Sequence, residues 1–228
     1  MRRKVYRELI QGSAEWLDAR AGLVTASTVG KLLTSTGKVA NNDTARGLTD
    51  TLVAERLTGR VEYVHPTRDM ARGTILEDTS RELYAELTGT DVDQIGFARI
   101  DTDTYSLGAS PDGLIGPDGG WESKSPKPKT HIRTVLEDKV PPIYMPQVQA
   151  CLLVFQRDWW DFTSYVPGLP LFVKRVYPDM EWRESIIAAV EKFEATAREQ
   201  VERFAENTSG LPVTPYWDPF EEEEITFG

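Results

Sequence analysis

The sequence predicts an α/β layer fold in which a central mixed β-sheet is flanked by helices. Three observations carry that prediction. Helical periodicity comes first along the chain, short apolar runs broken by Gly, Asp and Pro follow residue 89, and helical periodicity then returns on both sides of two further apolar runs. An order of helices, hairpin-linked strands, a helix, more strands and a closing helix gives one layered domain over residues 1–228, with no linker between halves. At 228 residues, 40% of them hydrophobic and 27% charged, the chain is long enough to bury one large core.

Each element has its own signal. Residues 34–44, rich in Ser, Thr and Gly and containing Asn41 and Asn42, read as a loop. The spacing of Leu48, Leu52, Val53 and Leu57 predicts a helix over 48–57, closed by Gly59. A second helix is expected over 74–88, with Ile75, Leu76, Leu83 and Leu87 on its apolar side and Gly89 as its stop; a Pro-containing loop, 61–69, separates the two. Strands are expected over 96–101, 105–110, 113–115, 121–125, 160–166 and 171–177, with 116–120 as a turn. Pro146, suited to a first helical turn, opens a helix carrying Val148, Cys151, Leu152 and Phe155 at i, i+3, i+4 and i+7. A closing helix over 181–204 is marked by Trp182, Ile186, Val190, Phe193, Ala197, Val201 and Phe204. The acidic run 221–224 reads as a solvated tail.

Composition excludes several classes. Cys151 is the only cysteine, so internal disulfides, multi-thiolate zinc sites and a four-cysteine iron–sulfur cluster are ruled out, and a reducing cytoplasm is the expected compartment. No apolar run approaches the roughly 20 residues that span a bilayer, and the basic N-terminus has no apolar stretch behind it, so neither a membrane nor a secretory role is expected. A net charge of −10 argues against a broad basic surface that coats nucleic acid. The charge is uneven: residues 1–72 hold twelve Lys and Arg against eight Asp and Glu, whereas 73–228 hold fourteen against twenty-eight. An acidic body that handles polyanions needs a local basic strip, or bound cations that reverse the sign of a carboxylate cluster.

The chemistry is concentrated between Gly108 and Pro126, G-A-S-P-D-G-L-I-G-P-D-G-G-W-E-S-K-S-P. Asp112 ends one strand, and Glu122 and Lys124 share a face of the next, because side chains alternate along a strand; a hairpin brings Asp112 alongside them. Two carboxylates and a lysine on one face suit divalent-metal phosphodiester hydrolysis. Asp112, Glu122 and the Ser123 carbonyl between Glu122 and Lys124 offer hard oxygen ligands to Mg²⁺, while Lys124 orients or deprotonates the attacking water and stabilises the pentavalent charge. Taken alone, Asp-Gly also reads as a turn and Glu-x-Lys as a solvated pair.

S-P-D-G followed by W-E-S-K-S-P resembles the core motif of the PD-(D/E)XK nucleases with their restriction-endonuclease-like core, and in particular the branch of phage lambda exonuclease and the YqaJ-like viral recombinases. Four further matches fall in the same order, together covering about residues 15–155. E-W-L-D-A-R-A-G-L-V-T-A-S, 15–27, resembles the opening signature whose Arg and last Ser hold a terminal 5′-phosphate, implying Arg20 and Ser27. R-G-T-I-L-E, 72–77, resembles the helix whose glutamate joins the metal site, implying Glu77, although Glu77 also reads as the i+4 ion-pair partner of Arg81. Ser110 matches the serine beside the 5′-phosphate, and in Y-M-P-Q-V-Q, 144–149, Gln147 matches the glutamine that positions the nucleophile region. Position 151, a tyrosine in many RecB-type relatives, is Cys151. His65 and His131 are expected in loop or surface roles.

The resemblance implies digestion of double-stranded DNA from a 5′-phosphorylated end, 5′ to 3′, releasing mononucleotides and leaving a 3′ single strand for recombination by annealing. It implies two Mg²⁺ ions per site, replaceable by Mn²⁺, held by Glu77, Asp112 and Glu122. It further implies a homotrimeric ring around DNA, a single-strand annealing protein as partner, and a bacterial cytoplasm as location if the gene is phage-borne. The basic N-terminal residues Arg2, Arg3, Lys4, Arg7, Lys31 and Lys38, and the segment 127–133, are candidates for duplex contact. Two rivals remain on these residues: an endonuclease on the same fold, and a non-catalytic DNA-end-binding adaptor.

Overall fold

The computed structural model describes residues 1–61 and 67–217; His65 and the acidic run 221–224 lie outside the described residues. The chain forms β1 (Arg2–Tyr6), α1 (Ala14–Arg20), α2 (Ala26–Val29), α3 (Asp43–Thr58), α4 (Arg68–Thr88), β2 (Phe97–Asp101), β3 (Ser106–Ala109), β4 (Gly113–Ile115), β5 (Gly119–Lys124), α5 (Pro128–Glu137), α6 (Met145–Phe155), β6 (Trp159–Ser164), β7 (Phe172–Val176) and α7 (Met180–Asn207). The α/β class is as expected, but the strands sort into two hydrogen-bonded sheets. One is antiparallel, in the order β1-β2-β3; the other is mixed, β4-β5-β6-β7, with β5 and β6 parallel. β3 runs on into β4 through Ser110, Pro111 and Asp112. Pro111 lacks the N–H that would continue a ladder, so the strand changes partner there and leaves Asp112 at the break.

Caps set the helix limits. The Asn42 side chain accepts from the Ala45 amide at 2.9 Å and opens α3, and Gly59, at φ +67°, closes it. Thr67 caps α4 in the same way, accepting from the Met70 amide at 3.2 Å. The helix therefore begins six residues before the apolar periodicity that reveals it, because its first turns, Arg68 to Gly73, carry no apolar stripe. Asp179 accepts from the amides of Glu181 and Trp182 and opens the long α7, whose buried stripe is Ile186, Ala189, Val190, Phe193 and Ala197.

Layering follows from strand alternation. α6, buried along Val148 to Phe155, lies beneath both sheets with α2 and α7 beside it, in the main core. α4 covers the other face of the mixed sheet around a smaller core of Tyr84, Ile115 and Trp121. β5 starts two residues earlier than expected. Gly119 and Gly120 belong to it rather than to the turn, because the Trp159 and Trp160 rings fill the space a side chain would need: a Cβ on Gly120 would meet the Trp160 ring at 2.2 Å.

Four elements escape the sequence patterns. β1, R-R-K-V-Y, is an exposed edge strand with no alternation to see. α1 buries no residue and α2 is a single turn. α5 arises from P-K-P-K-T-H, which reads as loop; its inward residues are the polar His131 and Thr134, while Ile132, Val135 and Leu136 face outward. His131 is accordingly not a surface residue. It is buried between α5 and the β6–β7 connection, Nδ1 sharing a hydrogen bond with Ser164 Oγ at 2.9 Å and Nε2 with the Pro170 carbonyl at 3.1 Å. Among the described residues, no helix is long and apolar enough to cross a membrane.

Candidate active site

The last residues of β5 divide between the two faces of the sheet. Trp121 packs beside Tyr84 of α4, with ring centroids 5.9 Å apart, and Ser123 Oγ shares a hydrogen bond of 2.7 Å with Ser80 Oγ on the same helix. Glu122 and Lys124 point the opposite way, toward Gln147 and Tyr144 at the start of α6. Asp112 reaches across from the break after Pro111, and its Oδ2 accepts the Ser123 amide at 2.8 Å. A cleft of about 570 Å³ opens over this point, lined by Glu77, Asp112, Ser123 and Lys124 and rimmed by Arg72, Lys127 and Tyr144.

Glu122 is fully buried. Its Oε1 accepts from Gln147 Nε2 at 2.5 Å and from the Lys124 ammonium, whereas Oε2 has no hydrogen-bond partner among the described residues. A buried carboxylate oxygen without a donor is costly, which makes it a place where a ligand is due. Burial, and next the repulsion of Asp112, lift the Glu122 carboxyl from 4.5 to about 8, and the same two causes lift Glu77 from 4.5 to about 7 against the pull of Arg81. Burial also raises Asp112, against the attraction of Lys124. Burial works against the charge on Lys124, but Glu122 and Asp112 together outweigh it and hold the ammonium above its ordinary value.

These groups fit a hard divalent cation: the donors are carboxylate oxygens with the Ser123 backbone beside them, and a cation would relieve both the unpartnered Oε2 and the mutual repulsion. The predicted ligands are neighbours without being gathered into a cage. Among the described residues, no group of three or more His, Cys, Asp or Glu is arranged to hold a metal ion. Glu77 enters the cleft from α4 and is paired with Arg81 at 2.6 Å, while Glu122 Oε1 is taken by Lys124 and Gln147.

A second cluster of side chains meets the chain two residues before Asp112, at Ser110. The Arg20 guanidinium stacks 3.8 Å over the Trp16 ring, and its Nη2 donates to Thr25 Oγ1 at 3.4 Å. Burial pulls this guanidinium down to about 10, opposed by Glu55, so it keeps its charge at neutral pH. Thr25 Oγ1 and Ser27 Oγ share a hydrogen bond of 3.2 Å, and Trp16 Nε1 donates to Ser110 Oγ at 2.8 Å. The Gly108 amide donates to the Val24 carbonyl at 3.0 Å, which ties the Thr25 turn to β3 two residues before Ser110. Arg20, Ser27 and Ser110, separate in sequence, are thus connected through two residues that sequence reasoning passed over, Trp16 and Thr25. Both stand in the opening motif of residues 15–27, where Trp16 reads as an ordinary core aromatic and Thr25 as a neighbour of the implied Ser27.

The model of the YqaJ-like viral recombinase domain matches residues 15–158, a stretch that holds both the cleft carboxylates and the Arg20 cluster. The chain belongs to the YqaJ-like viral recombinase family. Among solved structures it is similar to an alkaline exonuclease, LHK-Exo, from Laribacter hongkongensis, at 34% identity and a TM-score of 0.77, over 88% of this chain and 100% of that one. The same enzyme in complex with dAMP matches equally well. A phage-related exonuclease from Haemophilus somnus 129PT, at 15% identity and a TM-score of 0.58, covers 78% of this chain and 96% of its own, a likeness of fold. No curated protein matches. The family and the likeness to LHK-Exo agree with the PD-(D/E)XK core expected from S-P-D-G and E-S-K.

Proposed function

We propose that this YqaJ-family protein is a metal-dependent deoxyribonuclease that digests double-stranded DNA 5′ to 3′ from a phosphorylated end and leaves a 3′ single strand. One observation carries the reading: the Arg20 cluster and the carboxylate cleft are joined by three consecutive residues, Ser110, Pro111 and Asp112. A terminal phosphate held by Arg20, Ser27 and Ser110 therefore presents a nearby phosphodiester to Asp112, Glu122 and Lys124. Charge-assisted hydrogen bonds give the phosphate both affinity and register.

Each residue has a role in the step that follows. Divalent cations, Mg²⁺ with Mn²⁺ as a substitute, would be held by Asp112, Glu122 and Glu77 with the Ser123 carbonyl, and when bound supply Lewis acidity and a more acidic water. Gln147 donates to Glu122 and fixes the direction of its carboxylate. Lys124, whose neighbours keep it protonated, acts as a fixed cation that favours the charge gathering on the phosphate. Trp16 holds the Arg20 plane and the Ser110 hydroxyl in one arrangement. The unequal charge fits the same picture, since cations turn an acidic cleft into one that accepts phosphate. A homotrimeric ring and a single-strand annealing protein are the partners that family membership suggests for this activity.

The test is strand-resolved digestion of a linear duplex phosphorylated at one 5′ end, with Mg²⁺ and with EDTA, beside a closed circle of the same sequence. The expected result is loss of the phosphorylated strand only with Mg²⁺, and a fall of about 10²–10³-fold in rate for Lys124→Ala, the usual cost of removing one preorganised charge-stabilising group. Cutting of the closed circle would turn the reading to an endonuclease, and end binding without any cleavage would turn it to an adaptor.

A further inference from the structure

A second cationic cluster sits at the other end of α6 from the cleft. Arg3 on β1, Arg7 just beyond it and Arg157 in the α6–β6 connection line one small hollow of about 190 Å³, with Leu114, Pro117 and Phe155 as its apolar wall. Two of the three are anchored. Arg3 Nη1 donates to the Phe155 carbonyl at 2.6 Å, capping the C-terminus of α6, and Arg157 Nη1 donates to the Gly116 carbonyl in the β4–β5 turn at 2.8 Å. Each anchor uses one N–H of the five a guanidinium carries. Among the described residues none of the three forms an ion pair, although Asp118 and Asp158 are close enough to be felt by Arg157, and Arg3 and Arg7 repel it. Like charges, two of them held by backbone anchors, around a hollow that admits a phosphate and without an ion-pair partner among the described residues, suit an oxyanion with several acceptor oxygens.

We propose that Arg3, Arg7 and Arg157 form a second phosphate-binding site, separate from the Arg20 cluster, that grips a backbone phosphate of the DNA away from the reacting end. This rests on the reading that DNA is the substrate. Gln147 lies in the first turn of α6 and Arg157 two residues past its end at Phe155, so about 12 Å of helix lies between them at 1.5 Å per residue. That is roughly three to four base steps of duplex at 3.4 Å each. The Arg20 cluster would then set which end is bound, and the triad how firmly the duplex behind it is held.

The experiment compares the full chain with the double variant Arg7→Ala/Arg157→Ala; Arg3 is kept because it caps α6. Duplex affinity is measured in EDTA at several NaCl concentrations. Losing these contacts should weaken binding on the order of tenfold near 0.1 M salt and flatten the log–log salt slope by about one to two, at roughly 0.9 per phosphate contact. The ratio of affinities for phosphorylated over hydroxyl 5′ ends should stay as in the parent chain, because that ratio belongs to Arg20. Restoring charge with Arg7→Lys/Arg157→Lys should recover most of the slope, which separates lost charge from lost folding. An unchanged slope and affinity overturn the proposal, as does inorganic phosphate shifting the Arg157 Nε–H resonance while the DNA slope is unaffected, the mark of a free-phosphate site. If the parent chain does not bind duplex at all, the nuclease reading fails and the duplex grip with it; a parent chain that binds duplex with a salt slope the double variant leaves unchanged overturns the grip alone.

Discussion

Glu122 and Glu77 hold their protons far above the usual carboxylate range, and this gives the metal-free protein a particular response to pH. A carboxyl whose folded value exceeds its unfolded one binds more protons in the native state, so stability is greatest below about 4.5 and is lost as pH rises through about 7 for Glu77 and about 8 for Glu122. The metal-free melting temperature should therefore fall between pH 5 and pH 8, and Mg²⁺ should raise it more at pH 8 than at pH 6, since ligands must be deprotonated to bind. Thermal unfolding with and without Mg²⁺ at those pH values checks both; a melting temperature that rises steadily across the range without metal would contradict the assignment. Several site residues could be read from the sequence because strand alternation alone puts Glu122 and Lys124 on one face and a hairpin returns Asp112 to them. Glu77 was legible in two ways, and the structure shows one directly, its ion pair with Arg81. Trp16 and Thr25 were not legible as site residues, since their contribution is a contact to residues that the fold alone brings near.

At the scale of elements, whatever buries an apolar stripe was visible: α3, α6, α7 and six of the seven strands. What escaped was held by other means. β1 is fixed by its ladder to β2, α1 by the Ser13 cap, and α5 by polar contacts of His131, none of which leaves a periodic apolar pattern. β5 shows how such contacts reach the site. Gly119 and Gly120 look like turn residues, yet they are the part of the strand on which Trp159 and Trp160 lie, two positions before Glu122. Gly120→Ala should displace Trp160, cost about 1–3 kcal/mol as an overpacked core does, and lower the melting temperature by several degrees. Nuclease activity should fall further than stability, since β5 carries Glu122 and Lys124. Calorimetry beside a digestion assay checks this; a variant as stable and active as the parent would show that the ring can move aside.

Over the whole molecule, charge and connectivity act together. A chain of net charge −10 keeps an excess of positive charge in residues 1–72 and gathers Glu77, Asp112 and Glu122 at a cleft where cations would neutralise them. The β3–β4 segment links the Arg20 cluster, at Ser110, with the carboxylate cleft, at Asp112. The central claim is that Arg20 sets recognition of a phosphorylated end while Asp112, Glu122 and Lys124 do the chemistry. The most direct measurement is kcat/KM for duplexes with 5′-phosphate and with 5′-hydroxyl ends, in the parent chain and in Arg20→Ala. The account predicts a strong preference for phosphate in the parent that falls by about 10–100-fold in the variant, the worth of a charge-assisted contact of 1.5–3 kcal/mol, with the hydroxyl substrate little affected. Equal use of both ends by the parent, or an equal loss on both substrates in the variant, would contradict it.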